Sequence, residues 1–446
     1  MASLYIFPNQ LFNIDELTPL LSDATTVVLW EHPSFFKKYK FNQKKLLLHR
    51  ASMRYYFDNV LKRINNVKCT YIEFHERHTP TANRIFFDPI NRIANFKKRS
   101  QMRESPNFLL DRSDYVTFMK QHDFFKNKRM IFTTHFYKFC KERLEYLRDT
   151  PSLDKENRNI LPSNLTIPPM PDTSSSETEQ YIQEATNYVN RHFKSNYGTT
   201  DEFSYPIRRE DALDWLDDFF QNRLRNFGTY QDAIHTKQDY MFHSVLSSSI
   251  NIGLIQPKEI VERLRNVENI SMNNIEGFFR QLCWREYQRL CYIHFYKQLH
   301  KSNYYNLDKK LTKKWYTGDV GVRPVDICIK KAFSNAYLHH IERLMVMGNF
   351  MVLSGIIPSQ AHKWFMEFAI DSYEWVMLQN VYDMVFFGGG GLTSNKPYIS
   401  SSSYVVKMSN YKESEEWTTT WKAMYKAFIL KHKDKLHKYR YHFPYI

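Results

Sequence analysis

The run LPSNLTIPPMPDTSSSETE divides this 446-residue chain into two parts of different character. Proline lacks an N–H and blocks helix continuation, so the segment from about residue 150 to 205 reads as a connection between two units. Before it, SLYIF and TTVVLW are short continuous apolar runs, the pattern of strands buried on both faces. Gln43 to Leu61 repeat apolar residues at helical spacing, and VKCTYIEF follows as another strand. Strand, helix, strand in that order predicts a parallel sheet with flanking helices. After Arg209 the pattern is helical almost throughout: REDALDWLDDFFQNRL, KEIVERLRNV and IEGFFRQLCWREYQRLCYIHFYKQL. The expected architecture is an α/β domain over residues 1–130, a connector over 131–205 and an all-α domain over 206–446.

Composition narrows the function classes. Lys and Arg exceed Asp and Glu by 62 to 47, a net charge of +15, which favours a polyanionic partner or a solvated basic surface. The C-terminal LKHKDKLHKYRYHFPYI mixes basic and aromatic residues, as a nucleic-acid backbone contact or a solvated helix end would. Cys69, Cys140, Cys283, Cys291 and Cys328 form no CxxC and no Cys/His spacing for zinc or iron–sulfur. Scattered single cysteines point to free thiols in a reducing, intracellular compartment. No basic region followed by a long apolar run opens the sequence, and no stretch is apolar enough to span a membrane.

The richest stretch is Lys314 to Tyr404, which reads as a pocket for a flat cofactor with aromatic residues leading away from it. His339 and His340 sit in a predicted helix, about 100° apart, either as core histidines or with one as a proton donor near neutral pH. Trp364, Trp375, Tyr398 and Tyr404 are core residues by pattern alone. Upstream, Gln281, Trp284, Arg285 and Gln288 share one helix face, which fits a flat heterocycle or ordinary core packing with an ion pair. HSVLSSSINIG, His243 to Gly253, offers hydroxyls and a permissive glycine to phosphates, or is a serine-rich turn. Gln10 and Glu31 each follow a predicted strand, as pocket residues or as ordinary loop polars.

Taken together, these motifs resemble the photolyase and cryptochrome superfamily, specifically its iron–sulfur bacterial cryptochrome/photolyase branch. FPNQLF, NQKKLLLHRASMRYYF, DKENRNILP, FGTYQDAI, HSVLSSSINIGLI, IEGFFRQLCWREY, NAYLHHIERLMVMGNF, DSYEWVMLQN and KPYISSSSY follow in family order over nearly the whole chain. The resemblance implies an N-terminal antenna-binding α/β domain and a helical catalytic domain holding FAD. It implies light-driven repair of UV-damaged DNA by a monomer without a membrane partner, with a (6-4) photoproduct as the favoured substrate. A lumazine-type antenna (6,7-dimethyl-8-ribityllumazine) would then sit near Gln10 and Glu31. His243, Ser244, Ser247, Gln281, Trp284, Arg285, Arg343 and Asn380 fall on cofactor-binding positions. His340 matches the proton-donating histidine and His339 its neighbour, while Tyr398 and Tyr404 match tyrosines of the lesion pocket. Trp364 matches the tryptophan nearest the flavin, and the distal one falls at Tyr316, or at Trp315 with a one-residue shift.

The departures from the family pattern are specific. The four cysteines that hold a [4Fe–4S] cluster in the branch fall at Pro324, Lys412, Glu415 and about Thr419, so the sequence predicts no cluster and no metal. Phe365 stands where a redox-active tyrosine is usual, and Met377 where a glutamate is usual. RQLCW is one residue shorter than the family's version. Two alternatives stay open: a cryptochrome-like blue-light photoreceptor without repair, and a cyclobutane pyrimidine dimer photolyase.

Overall fold

A computed structural model describes residues 2–98, 101–122, 133–173 and 175–446. Five strands form one parallel sheet in the order β3-β2-β1-β4-β5. They are β1 (Ala2–Ile6), β2 (Ala24–Trp30), β3 (Lys68–Ile72), β4 (Arg84–Phe87) and β5 (Met102–Arg103). Leu4 pairs with Val27 on one side and with Ile85 on the other, so β1 is central. This explains its unbroken apolar run: a strand with neighbours on both edges and helices over both faces meets no water. The apolar RIFF of β4 and the two-residue β5 complete the sheet beyond the three strands the sequence reading found.

The helix Gln43–Asn59 covers the sheet, and Asn42 caps it by accepting from the Lys44 amide at 2.9 Å. Residues 131–205 are more than a connector. They contain the helices Thr133–Arg143 and Ser176–His192. The second begins where the Ser175 side chain accepts from the Thr178 amide, has Glu177 and Glu179 in its first turn, and ends in Arg191 and His192. Its tyrosines reach back to the first helix, where Asn59 donates to the Tyr181 hydroxyl at 3.0 Å. The expected border between residues 130 and 131 lies outside the described residues.

The remainder is helical and built around Met272–His300, a 29-residue helix. Gly228 lets the segment Leu224–Tyr230 pack against it, since a Cβ there would lie 2.5 Å from the Asn273 carbonyl oxygen. Gly253 ends the short helix Ser247–Ile252 at φ 93°, with the Phe12 ring 2.7 Å from where a Cβ would sit. That contact joins the segment after β1 to the helical half.

One buried loop, Ala369–Tyr373, knits the two halves further. From the sheet side, Lys45 donates to the Ser372 carbonyl and to its hydroxyl at 3.1 Å, and His49 Nε2 meets the Tyr373 hydroxyl at 2.9 Å. From the helical side, Asn251 donates to the Asp371 carbonyl at 2.9 Å. Among the described residues, no helix is long and apolar enough to cross a membrane. All five cysteines are unpaired thiols.

Candidate functional site

Six segments of the helical half enclose a cavity of about 270 Å³. The long helix turns Gln281, Trp284, Arg285 and Gln288 toward it, as their spacing requires. His243, Ser244 and Ser247 come from the turn and short helix that Gly253 closes, and Arg343 and Asn380 from two later segments. All eight expected cofactor-binding residues therefore meet on one cavity. Much of the remaining wall is apolar, including Phe227, Phe278, Leu338, Phe365, Trp375 and Met377.

The polar groups here are arranged unequally. Arg343 is spoken for: its guanidinium gives the Asp371 carboxylate two hydrogen bonds, at 2.9 and 3.1 Å, and Ser247 adds a third at 2.7 Å. Burial would push the Asp371 carboxyl up, but Arg343 outweighs it and holds the group below the usual carboxylate range. Arg285 is different. It donates to the Asn107 carbonyl and more loosely to the Asn251 side chain, and among the described residues no carboxylate accepts a hydrogen bond from it. Its nearest acid, Glu286, is 3.9 Å away and already accepts from the amides of Leu109 and Leu110 and from the Tyr115 hydroxyl. Burial lowers the Arg285 pKa to about 10, so it is a charged group short of an anion.

The two histidines do not share a helix. Ala336 takes a left-handed conformation at φ 55° and stops the helix Arg323–Asn335, so His339 lies in the following turn and only His340 opens the next helical run. His340 lines the cavity. Desolvation by the surrounding protein, then the Arg343 charge, lowers its pKa to about 4, so the ring is neutral at pH 7 although the side chain is exposed toward the cavity. His339 points away and stacks on His243, with centroids 4.7 Å apart and planes at 13°. It is a core residue, 1% exposed, whose imidazole burial keeps neutral.

Several other expected residues stand off the cavity. Trp364 is fully buried, with its indole donating to the Trp315 carbonyl at 2.8 Å, and it is Phe365 whose ring forms the wall. Trp315 is buried, whereas Tyr316 is half-buried and donates to Glu367 at 3.0 Å. Tyr398 and Tyr404 are half-buried beside the charged group of Asp154, Arg158 and Asp232, and of these only Asp232 lines the cavity. Burial, then Asp154, raises the Asp232 pKa to about 6. The sequence reading did not single out Asp232, Asp371, Asn251 or Tyr337, all of which line the cavity. All four sat inside quoted motifs, FGTYQDAI, DSYEWVMLQN, HSVLSSSINIG and NAYLHHIERLMVMGNF, which was the available signal.

At the sheet, Gln10 and Glu31 lie away from this cavity. The open end of the sheet between β1 and β4, where such folds bind ligands, is closed by Gln10 itself. Its amide donates to the Phe87 and Asp88 carbonyls at 3.0 and 3.2 Å and accepts from the Phe7 amide at 3.2 Å. Glu31 is consumed as fully. Arg50 at 2.9 Å, the Tyr71 and Tyr188 hydroxyls at 2.6 and 2.8 Å and the Phe74 amide at 3.1 Å satisfy both its oxygens. Neither side chain has a polar atom left for an antenna.

A (6-4) photolyase of Agrobacterium fabrum is 31% identical over 343 residues, 72% of this chain and 67% of that one. This chain belongs to the photolyase/cryptochrome superfamily. The model of the family described as deoxyribodipyrimidine photo-lyase-related protein matches residues 4–92 and 88–205 of this superfamily member. An uncharacterized protein of Acanthamoeba polyphaga mimivirus is 52% identical over 91 residues, 20% of the chain and 74% of that protein. A crystal structure of a bacterial class III photolyase from Agrobacterium tumefaciens has the same fold, with a TM-score of 0.60 at 14% identity over 98% of this chain and 91% of that one. The photolyase/cryptochrome fold thus accounts for the sheet, the helical half and their order.

Proposed function

We propose that this chain is a light-driven DNA repair flavoenzyme that binds FAD in the helical cavity and acts on (6-4) photoproducts. The observation that carries the proposal is the meeting of eight expected cofactor residues and His340 on one wall system. The residues suit the group: an apolar, aromatic wall for a flat ring system and, in Arg285, a buried cation that is only loosely paired with Glu286, for an anionic tail. When bound, a reduced flavin supplies the photoexcited electron that splits the lesion.

The chain's own groups do the rest. Arg285 offers N–H groups to phosphate, while Asp371, paired with Arg343, orients Ser247 by accepting a hydrogen bond from its hydroxyl. Trp284 and Gln281, neighbours on one helix face of the cavity, would hold the flat ring system. His340 faces the same space and carries the proton for the lesion. Its imidazolium form is disfavoured in the free protein by burial and Arg343, and a nearby anion restores it. Tyr398 and Tyr404 border the lesion side next to Asp232. The net charge of +15 suits contacts to damaged duplex DNA, whose affinity then falls with salt.

The cluster positions carry other chemistry. Glu415 pairs with Arg323 at 2.6 Å and accepts from the Trp417 indole at 3.0 Å, and Pro324 starts the Arg323–Asn335 helix. These residues do not fit an iron–sulfur cluster, and no step is assigned to one. The same holds for a lumazine-type antenna at Gln10 and Glu31.

Phe365 favours a second reading, a cryptochrome-like photoreceptor without repair, because a poorly oxidisable ring separates the cavity from Trp364. One experiment decides among these readings: illumination of the FAD-loaded protein with oligonucleotides carrying a (6-4) or a cyclobutane lesion. Restoration of the (6-4) substrate supports the proposal, and restoration of the cyclobutane substrate alone reassigns the lesion. Full flavin occupancy with neither repaired makes it a photoreceptor.

A further inference from the structure

Among the described residues, half of the large apolar or aromatic side chains that stand in solvent belong to one short segment. They are Leu430, Tyr441 and Tyr445, against Val116, Ile160 and Met272 elsewhere. The same segment is strongly basic. Trp421 to Ile446 carries seven Lys and Arg against one acid, Asp434, where the whole chain runs 62 to 47. Lys422 is paired with Glu413, and Lys435 donates to the Tyr304 carbonyl. Lys426, Lys431, Lys433, Lys438 and Arg440 are exposed, and among the described residues no carboxylate lies within ion-pair distance of them. The segment is held in place. The helix Glu416–Lys431 runs into Lys433–Leu436 and the tighter turn His437–His442. The Tyr305 ring packs on Phe428 and His432, each at 5.1 Å, and Phe387 packs on Tyr439 at 5.3 Å. On this frame the Arg440 guanidinium lies over the Tyr441 ring at 4.8 Å, and the Lys426 ammonium stands 5.7 Å from the Tyr445 ring. Tyr441 is 86% exposed, so little besides Arg440 covers it. The anchors Tyr304 and Tyr305 follow the His300 end of the long helix. At 1.5 Å per residue, that end is about 30 Å along the helix from Arg280, which pairs with Asp154 beside the cavity. The segment is a surface of its own.

We propose that the surface from Lys426 to Tyr445 binds an unpaired nucleic-acid strand, separately from the cavity. The five unpaired cations follow the phosphates, and Tyr441 stacks on a base. A single strand fits better than a duplex, because only an unstacked base offers its face to an exposed ring. DNA and RNA strands share this chemistry, since neither feature reads the sugar. An anionic bilayer would feel the same charge but needs an apolar face to enter it, and Leu430 is the one large aliphatic side chain that the segment exposes. The surface uses neither flavin nor lesion, so it stands or falls independently of the function proposed for the cavity.

The test uses the full chain in the dark, with labelled, undamaged oligothymidylate and oligouridylate of about 12 nucleotides, followed by fluorescence anisotropy. The parent should bind both strands, and log affinity should fall against log salt with a slope of about −3.5, the value for five phosphates on a single strand. Lys438→Ala/Arg440→Ala should flatten that slope by about 1.4. Tyr441→Ala should weaken binding about tenfold at an unchanged slope, and Tyr441→Trp should restore it. All three side chains stand in solvent, so thermal unfolding of the variants should match the parent. Equal affinity for the two strands supports the shared chemistry, and a preference for one identifies the strand the surface serves. Parental affinity in both alanine variants overturns the proposal. So does tighter binding of a duplex of the same length to which Tyr441→Ala is indifferent, and so does capture by phosphatidylserine vesicles without binding of either strand. Loss of strand binding on removal of flavin, with the alanine variants unaffected, places the binding at the cavity and also overturns it.

Discussion

Replacing Arg343 by methionine removes a cation from a buried pair while keeping most of the stem's volume. In the parent, Asp371 and Arg343 have side chains only 10% and 16% exposed, and two hydrogen bonds at 2.9 and 3.1 Å join them. In Arg343→Met the carboxylate keeps Ser247 as its side-chain partner and the Lys45 charge nearby, and loses its hydrogen-bonded counter-charge. Removing one partner of a buried pair costs about 3–5 kcal/mol, or roughly two to four powers of ten in the folding equilibrium. The pH dependence has a definite sign. Asp371 in the parent has a depressed pKa, so its contribution is present above the unfolded carboxyl value and lost as pH falls through the folded one. In the variant only Ser247 and the Lys45 charge oppose burial, so that pKa rises and protonation relieves the penalty as pH falls. The gap between parent and variant should therefore narrow from pH 8 to pH 5. Guanidinium unfolding followed by tryptophan fluorescence measures it, with Arg343→Met/Asp371→Asn as the closing corner of a double-mutant cycle. A loss under about 1 kcal/mol, or a double variant no more stable than the single one, refutes the reasoning.

Arg285→Leu should weaken FAD binding by about 1.5–3 kcal/mol, the worth of a hydrogen bond to a charged group, in a fluorescence titration; unchanged affinity removes Arg285 from the site. His340→Ala should abolish (6-4) repair at full flavin occupancy. In the parent, single-turnover repair should quicken from pH 8 to pH 6 as the depressed His340 pKa is approached, and a flat profile contradicts proton donation. Burial lowers the His243 pKa to about 4 from 6.5. Below pH 6.5 the unfolded ring gains a proton that the folded ring refuses, so stability should fall between pH 6.5 and 4, by up to about 3 kcal/mol, and His243→Asn should flatten that slope in thermal unfolding. Iron and sulfide assays on freshly purified protein should find no stoichiometric iron; cluster-like content would reverse the reading of Pro324, Lys412, Glu415 and Thr419.

Where one period governs a segment, the sequence was a good guide. The strands β1 and β2 follow from continuous apolar runs, and the shared face of Gln281, Trp284 and Arg285 from a period of 3.6. The helix Ser176–His192 was hidden because the proline-rich run before it dominates the local reading, while its cap and its amphipathic face are weak signals one by one. The turn at His339 was hidden for a different reason. Ala336 adopts a left-handed conformation without glycine's signature, so nothing in NAYLHHIERLM marks the break. Gln10 and Glu31 show a limit of another kind. Their place after strands was legible, but whether a polar atom faces a ligand or a neighbour depends on Phe87, Asp88, Arg50 and Tyr188, remote in sequence.

The loop Ala369–Tyr373 has a consequence for the molecule as a whole. Lys45 and His49 reach it from the sheet side, Asn251 and Arg343 from the cavity side, and it is buried throughout. Cutting the chain between residues 205 and 206 would leave the Ser372 carbonyl and the Tyr373 hydroxyl without their partners at a newly wetted face. The two pieces should therefore not fold as autonomous halves but reassemble only together, in the manner of a split protein. By the same linkage, a molecule settling in the cavity slows hydrogen exchange in the helix Gln43–Asn59, which it never touches.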